Sequence, residues 1–297
     1  MRLLCIVPGA IGDFILILPA IAWLRSHLSP VWLELWVSRV NLQLAQRLSY
    51  VDWAVALTDT GIDKYPIAEN CLNRMKTFER IISWWGTGNS DFVDRIKRVH
   101  NLIDFLPALP ENSTKHVTEF RRIQLEGLFG FLREFIPAPK IDWTQEEEQF
   151  AHEFLADKPK LSRLVIHPGA SGQSKRWSFK KFADLADRLA SDSKTHLILL
   201  EGPLDEVTVN KVAAAVRDST LLDKIKIENL SRLAAVLNRC DVYVGNDSGI
   251  THLAAAVGIL TVAIFSNSNP QVWAPRGPQV CLLRRPAVEE VLSSIHY

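Results

Sequence analysis

The chain has 297 residues, 47% apolar and 23% charged, the balance of a soluble globular protein with room for two domains that each bury a core. A formal net charge of +1 excludes the global field that draws a protein to nucleic acid, so no nucleic-acid partner is expected. Cys5, Cys71, Cys240 and Cys281 lie far apart with no C-x-x-C pair, which argues against a disulfide framework or zinc site and for a reducing compartment.

Leu3 to Val7 is a short apolar run closed by Pro8-Gly9 and reads as a buried strand. From Asp13 to His27 the apolar residues Ile15, Leu18 and Ala22 recur at helical spacing, and Val31 to Val37 reads as a second strand. Pro19 interrupts the apolar stretch Phe14 to Ile21, and Pro8-Gly9 breaks any signal-peptide core. A spanning helix needs about 20 uninterrupted apolar residues. With no such segment, the protein is expected in the cytoplasm. Strand, glycine turn, helix, strand is the opening of a doubly wound α/β domain.

Ile81-Ile82-Ser83-Trp84-Trp85 reads as an exposed aromatic segment, and Phe92 to Leu106 as a basic amphipathic helix with Arg95, Lys97, Arg98 and His100. Such a helix either lies on an anionic membrane surface, giving peripheral membrane contact, or packs on the first domain with its charged face solvated. Pro137-Ala138-Pro139 and Glu146-Glu147-Glu148 precede a change of rhythm, with a helix from Gln145 to Ala156 and a linker at Lys158-Pro159-Lys160. The α/β alternation then restarts. Strands are expected at Leu164 to Ile166, His196 to Leu200, Asp241 to Gly245 and Thr261 to Phe265. Helices are expected near Phe179 to Ala190, Glu206 to Val216, Ser231 to Arg239 and Gly249 to Val257. This places a first Rossmann-like domain over residues 1–158 and a second over 159–297, with a cleft between them.

The richest segment is Gly245-Asn246-Asp247-Ser248-Gly249-Ile250-Thr251-His252, a strand end, a small polar turn and a helix start. Free N–H groups at a helix N-terminus, with the helix dipole behind them, attract anions. Ser248 and Gly249 leave room for a diphosphate, and His252 sits on the first helical turn. Asp247 has a simpler alternative as the helix N-cap.

A second turn, His167-Pro168-Gly169-Ala170-Ser171-Gly172-Gln173-Ser174-Lys175-Arg176-Trp177, follows a strand and offers Lys175 as a point charge for phosphate. It lacks the P-loop spacing. A third, Glu201-Gly202-Pro203-Leu204-Asp205-Glu206, puts carboxylates where a ribose diol could donate to them, or where they interact only with a helix dipole. Near the N-terminus, Gly9-Ala10-Ile11-Gly12-Asp13 sets one carboxylate at a helix start. A carboxylate there can take a proton from a hydroxyl, although helix-start carboxylates are common for purely structural reasons.

Taken together, Gly9-Ala10-Ile11-Gly12-Asp13, His167-Pro168-Gly169-Ala170 with Lys175-Arg176-Trp177, and Gly245-Asn246-Asp247-Ser248-Gly249 with His252-Leu253-Ala254-Ala255-Ala256 resemble glycosyltransferase family 9. That family includes the ADP-heptose:lipopolysaccharide heptosyltransferases. The segment Asn267 to Gly277 is similar to the family's closing motif. The resemblance covers roughly the first 30 residues and most of residues 164–277. The phosphate loop departs from the family in carrying Ala170-Ser171-Gly172, where heptosyltransferases often have paired threonines.

The resemblance implies a GT-B fold of two Rossmann-like doubly wound domains, and an inverting, metal-independent transfer of a sugar from a nucleotide diphosphate. The absence of a D-x-D sequence agrees with it. By position, the resemblance makes Asp13 the general base and places Ser171 and Lys175 on the phosphate loop. It gives Asp247, Ser248, Gly249 and His252 the diphosphate and sugar contacts, and sets Asp205 or Glu206 near the ribose. The backbone of Glu228 to Leu230 would flank the adenine. No cofactor is implied beyond the donor, expected to be ADP-linked, and the expected acceptor is a lipid-linked saccharide of the lipopolysaccharide core, reached at the inner face of a bacterial membrane. The competing readings are another nucleotide sugar or acceptor, a sugar-nucleotide 2-epimerase, and a non-catalytic nucleotide-sugar-binding protein.

Overall fold

The computed structural model describes residues 1–110, 114–130 and 138–295. Pro137 of the Pro137-Ala138-Pro139 stretch lies outside them. The chain forms two compact units, Met1–Asp142 and Trp143–Tyr297.

The first unit is built on a five-stranded parallel sheet of β1 (Arg2–Val7), β2 (Trp32–Val37), β3 (Trp53–Ala56), β4 (Arg80–Ser83) and β5 (Ile103–Phe105), in the order β3-β2-β1-β4-β5. β1 and β2 are buried from their second residue on, as continuous apolar runs in an all-parallel sheet require. Glu34 is the polar exception on β2. Its buried carboxylate accepts from Trp36 Nε1 (2.7 Å) and from Arg74 Nε and a terminal nitrogen (2.9 and 3.0 Å), so its charge is compensated.

Three expectations change here. Helix Ile11–Leu28 continues through Pro19, and Phe14 to Ile21 are all buried. By length and composition it is long and apolar enough to cross a membrane, which the interrupted sequence had excluded. Its apolarity is that of a core helix, with 61% of it buried. The segment Ile81 to Trp85 is not exposed: Ile81, Ile82, Ser83 and Trp84 are buried on or beside β4, next to the central strand. The basic segment 92–106 is two elements, helix Ser90–Val99 and β5. Phe92 and Ile96 enter the core beneath β4 while Lys97 and Arg98 face solvent, which is the packed alternative.

The second unit carries a six-stranded parallel sheet: β6 (Ser162–His167), β7 (Thr195–Leu200), β8 (Leu222–Ile225), β9 (Val242–Asn246), β10 (Leu260–Phe265) and β11 (Val280–Arg284). The order is β11-β10-β9-β6-β7-β8, with every pair parallel. Helix Phe179–Ala190 buries Phe182, Leu185, Ala186 and Leu189, spaced to lie on one helical face, against Leu164, Ile166, Leu197 and Leu199 of the sheet. Edge strands β8 and β11 and the helix Val288–Ile295 extend the series beyond the four strands expected from sequence. Helix Gln145–Ala156, ahead of the expected linker at 158, packs on helix Leu230–Asn238 and belongs to this unit.

Candidate active site

Chain order in the second sheet runs from β6 to β7 to β8 in one direction and from β9 to β10 to β11 in the other. β6 and β9 are therefore neighbours whose following segments diverge. The crevice beyond the C-terminal ends of such a pair is where open α/β sheets hold ligands. The loops that leave β6 and β9 carry residues 168–178 and 247–248, two of the three motifs read from the sequence.

Asp247 is the first residue after β9, and its N–H donates to Ile264 O at 3.0 Å. Its carboxylate is buried and accepts from Lys175 Nζ at 2.8 Å, with His252 Nε2 at 3.7 Å from the other oxygen. Burial by itself would raise its pKa. The His252 and Lys175 contacts outweigh that and hold it down at about 2. The N-cap of helix Gly249–Val257 is Ser248, whose hydroxyl accepts from Thr251 N, so Asp247 is free of the capping role. Lys175 closes a short 3₁₀ turn, Gln173–Lys175, and its side chain remains 38% exposed, leaving ammonium hydrogens open to a ligand.

Asn246, fully buried, ties the two loops together. Its Oδ1 accepts from Trp177 N at 2.7 Å, and its Nδ2 donates to Pro168 O at 2.8 Å. Arg176 turns back to donate twice to Ala170 O, at 3.0 and 2.9 Å, and fixes the loop's curvature. Ser171 is exposed on that same loop.

Of the two candidate ribose carboxylates, Asp205 is buried and accepts from His167 Nε2 at 3.1 Å, while Glu206 is exposed on the first turn of helix Glu206–Ala213. The structure thus brings Lys175, Asp247, Ser248 and His252 together and turns Asp205 inward. Asn229, at the N-cap of helix Leu230–Asn238, accepts from Ser231 N and Arg232 N at 3.0 and 3.1 Å and fixes the Glu228 to Leu230 backbone.

In the first unit β1 stands at the corresponding switch point, between β2 and β4. Gly9, with φ of +111°, turns the chain out of β1, and a Cβ there would lie 2.8 Å from the Cβ of Asp13. Asp13 sits on the first turn of helix Ile11–Leu28, where its Oδ2 accepts from Ala10 N at 3.1 Å. Asn41 Nδ2 donates to Gly9 O at 3.1 Å and holds the turn from outside. The buried Arg121 is close enough for its charge to couple to Asp13. Burial pushes its guanidinium down to about 10, and the Asp13 carboxylate opposes that. Arg121 donates to Pro107 O at 2.8 Å and to Ala108 O.

Asn246, Arg176 and Arg121 escaped the sequence reading as site residues. Asn246 had a signal, since a polar residue at the end of an apolar strand needs partners when buried. Arg121 had none, because nothing local to helix Val117–Phe129 reveals which element it faces.

Comparison with known proteins agrees with this architecture. Residues 109–291 match glycosyltransferase family 9 (heptosyltransferase). The lipopolysaccharide core heptosyltransferase OpsX of Haemophilus influenzae is 27% identical over 158 residues, 51% of this chain and 44% of that protein, so the alignment spans less than half of that relative's length. Among solved structures, a family 9 glycosyl transferase from Veillonella parvula superposes with a TM-score of 0.83 at 18% identity, covering 99% of this chain and 96% of that one. The Escherichia coli ADP-heptose lipopolysaccharide heptosyltransferase II gives 0.81 at 19% identity, covering 100% and 98%. These two likenesses establish the shared two-domain α/β fold, the GT-B class. With the family match extending over more than half of its length, the chain belongs to glycosyltransferase family 9.

Proposed function

We propose that this protein transfers a sugar, heptose from ADP-heptose being the favoured donor, to a hydroxyl of a lipid-linked saccharide of the lipopolysaccharide-core type. The observation that carries the reading is the Lys175–Asp247 pair, set at the N-terminus of helix Gly249–Val257 and at the switch point of the sheet. The donor diphosphate lies against that helix start, where the Ser248 turn and the uncompensated N–H groups favour an anion. Lys175 keeps one hydrogen bond to Asp247 and offers its remaining donors to the phosphate oxygens. Exposed Ser171 adds a hydroxyl to the same loop. Exposed Glu206 is the carboxylate presented to the ribose, since Asp205 is engaged by His167.

In the transfer step the acceptor oxygen attacks the anomeric carbon from the face opposite the diphosphate. Its proton passes to the Asp13 carboxylate, and the electron pair of the breaking C–O bond leaves on the diphosphate. The product has inverted configuration. Lys175 and the helix N-terminus act on charge that grows as the bond breaks, so they bind the leaving group more strongly in the transition state than in the ground state. No step requires a metal. Work on a lipid-linked acceptor places the enzyme at the inner face of a bacterial inner membrane.

Calorimetric titration of the protein with ADP, UDP and GDP tests the donor, followed by turnover with ADP-heptose and a lipopolysaccharide-core acceptor. A clear preference for ADP with heptosyl transfer is expected. Preference for UDP or GDP would move the function to another donor, and conversion of a nucleotide sugar without acceptor would make the protein an epimerase.

A further inference from the structure

Beneath the donor loops lies a buried line of polar groups. Asp205 Oδ2 accepts from His167 Nε2 at 3.1 Å, and His167 Nδ1 shares a hydrogen bond with the Tyr243 hydroxyl at 3.2 Å. That hydroxyl lies 3.1 Å from Thr251 Oγ1, which is 3.1 Å from the Ser248 hydroxyl and donates to Asn246 O. Asp205, His167, Tyr243 and Thr251 are all buried, so each link stands in a low dielectric and each unmade link leaves an unsatisfied group.

The sequence around this line is shaped to admit it. A Cβ on Gly169 would lie 1.8 Å from Asp205 Oδ2, and one on Gly202 would lie 2.5 Å from the same atom. A Cβ on Gly245 would lie 2.5 Å from the Tyr243 hydroxyl. Tyr243 and Gly245 share one face of β9, two residues apart, and the missing side chain lets the phenol run along the strand to its C-terminal end. One glycine from each of the three motifs thus clears the volume that the line occupies.

We infer that Tyr243 and Thr251 are positioning residues for donor binding: their hydroxyls transmit the fixed position of the His167–Asp205 pair, after β6 and β7, to Ser248 at the start of the phosphate-facing helix, after β9. The inference rests on the donor site proposed above. Both residues are fully buried, so they act through Ser248. Together they hold Ser248 and the first N–H groups of helix Gly249–Val257 in register with the loop that carries Lys175.

Tyr243→Phe removes only the hydroxyl, and Thr251→Val and Thr251→Ser separate hydroxyl from shape. With the full chain and whichever of ADP, UDP and GDP the wild type binds most tightly, Tyr243→Phe and Thr251→Val should each raise Kd about three- to tenfold, as loss of one buried hydrogen bond predicts. Thr251→Ser should restore near wild-type affinity. Adding Tyr243→Phe to Ser248→Ala should cost less than about twofold more, because the two act through one point. Hydrogen exchange at the Thr251 amide should quicken in Tyr243→Phe without nucleotide.

Unchanged affinity in Tyr243→Phe, equal loss in Thr251→Ser and Thr251→Val, or additivity with Ser248→Ala would each overturn the inference. If Tyr243→Phe does not fold, the Thr251 pair decides. If the wild type binds none of the three nucleotides, the donor reading fails and so does the positioning of a donor. Quickened exchange would then retain the line only as a structural link, and unchanged exchange would remove that too.

Discussion

Lys175 Nζ stands 2.8 Å from Asp247 Oδ2, although the two residues are 72 apart in sequence and leave different strands. The pair exists because β6 and β9 are adjacent and parallel, with His167 in register with Gly245. A cation and a carboxylate at one helix start would be a poor anion site if the carboxylate faced the ligand. Buried Asp247 instead points its oxygens at Lys175 and His252 and so orients the ammonium.

Lys175→Ala should therefore weaken nucleotide binding by about 1.5–3 kcal/mol, the range for hydrogen bonds to a charged group. Calorimetry at two salt concentrations checks it, since loss of a cation–phosphate contact also flattens the salt dependence. Unchanged affinity would place the phosphates elsewhere.

Asp247 gives the fold an acid sensitivity with a definite sign. Its folded-state pKa is depressed, to about 2 from 3.8, so the unfolded chain takes up the proton first as pH falls. The stabilisation is complete above pH 3.8 and disappears as pH drops through about 2, amounting to roughly 2 kcal/mol. Asp247→Asn should lower stability at neutral pH by a similar amount and flatten the pH dependence between those limits. Denaturant unfolding at a series of pH values, with equal slopes for both proteins, would contradict this.

Asp13→Asn keeps the shape of the helix start and removes the carboxylate proposed to act as the base. Turnover should fall by about 10²–10⁴, the usual contribution of a positioned proton acceptor. Nucleotide affinity should stay near wild type, because Asp13 belongs to the first unit and the loops proposed to hold the diphosphate belong to the second. Retained turnover would mean that another group accepts the proton.

Gly169 and Gly172 lie in one loop and look interchangeable as phosphate-loop glycines, but their surroundings differ. A Cβ at 169 meets the Asp205 carboxylate at 1.8 Å, whereas at 172 the nearest atoms are 4.0 Å away on Lys175 and Ser174. Gly169→Ala should cost about 1–3 kcal/mol or more of stability, as overpacking of a buried site does. Gly172→Ala should stay within about 0.5 kcal/mol. Equal melting temperatures for the two variants would refute the packing account.

Most of the second unit was legible in the sequence. Helices Gln145–Ala156, Phe179–Ala190 and Gly249–Val257 have the boundaries that periodicity and flanking residues indicate. β8 was not legible, because Leu222-Asp223-Lys224-Ile225 lacks the continuous apolar run of a central strand, whereas β11 carries such a run in Val280 to Leu283 and went unread. Ile81 to Trp85 were misread for the opposite reason: the aromatic pair looks exposed until β1 and β5 flank β4 and helix Val117–Phe129 supplies Gln124 to the Trp84 indole at 2.9 Å.

The sequence by itself determined what depends on neighbours along the chain: the α/β alternation, the bounds of helix Gly249–Val257, and the glycine-rich turns that carry the family's signature, while the first helix starts at Ile11, two residues ahead of the expected Asp13. Hydrogen bonding within a turn and the apolar spacing of a helix are local, and local patterns survive in one dimension. Only the tertiary structure decided that Asp247 faces Lys175, that Asp205 turns inward to His167, and that the glycines of three separate motifs make room for Tyr243 and Asp205. Those outcomes follow from which strands become neighbours, and strand order is fixed by burying two sheets' worth of apolar surface at once, a condition that no single segment of the chain can express.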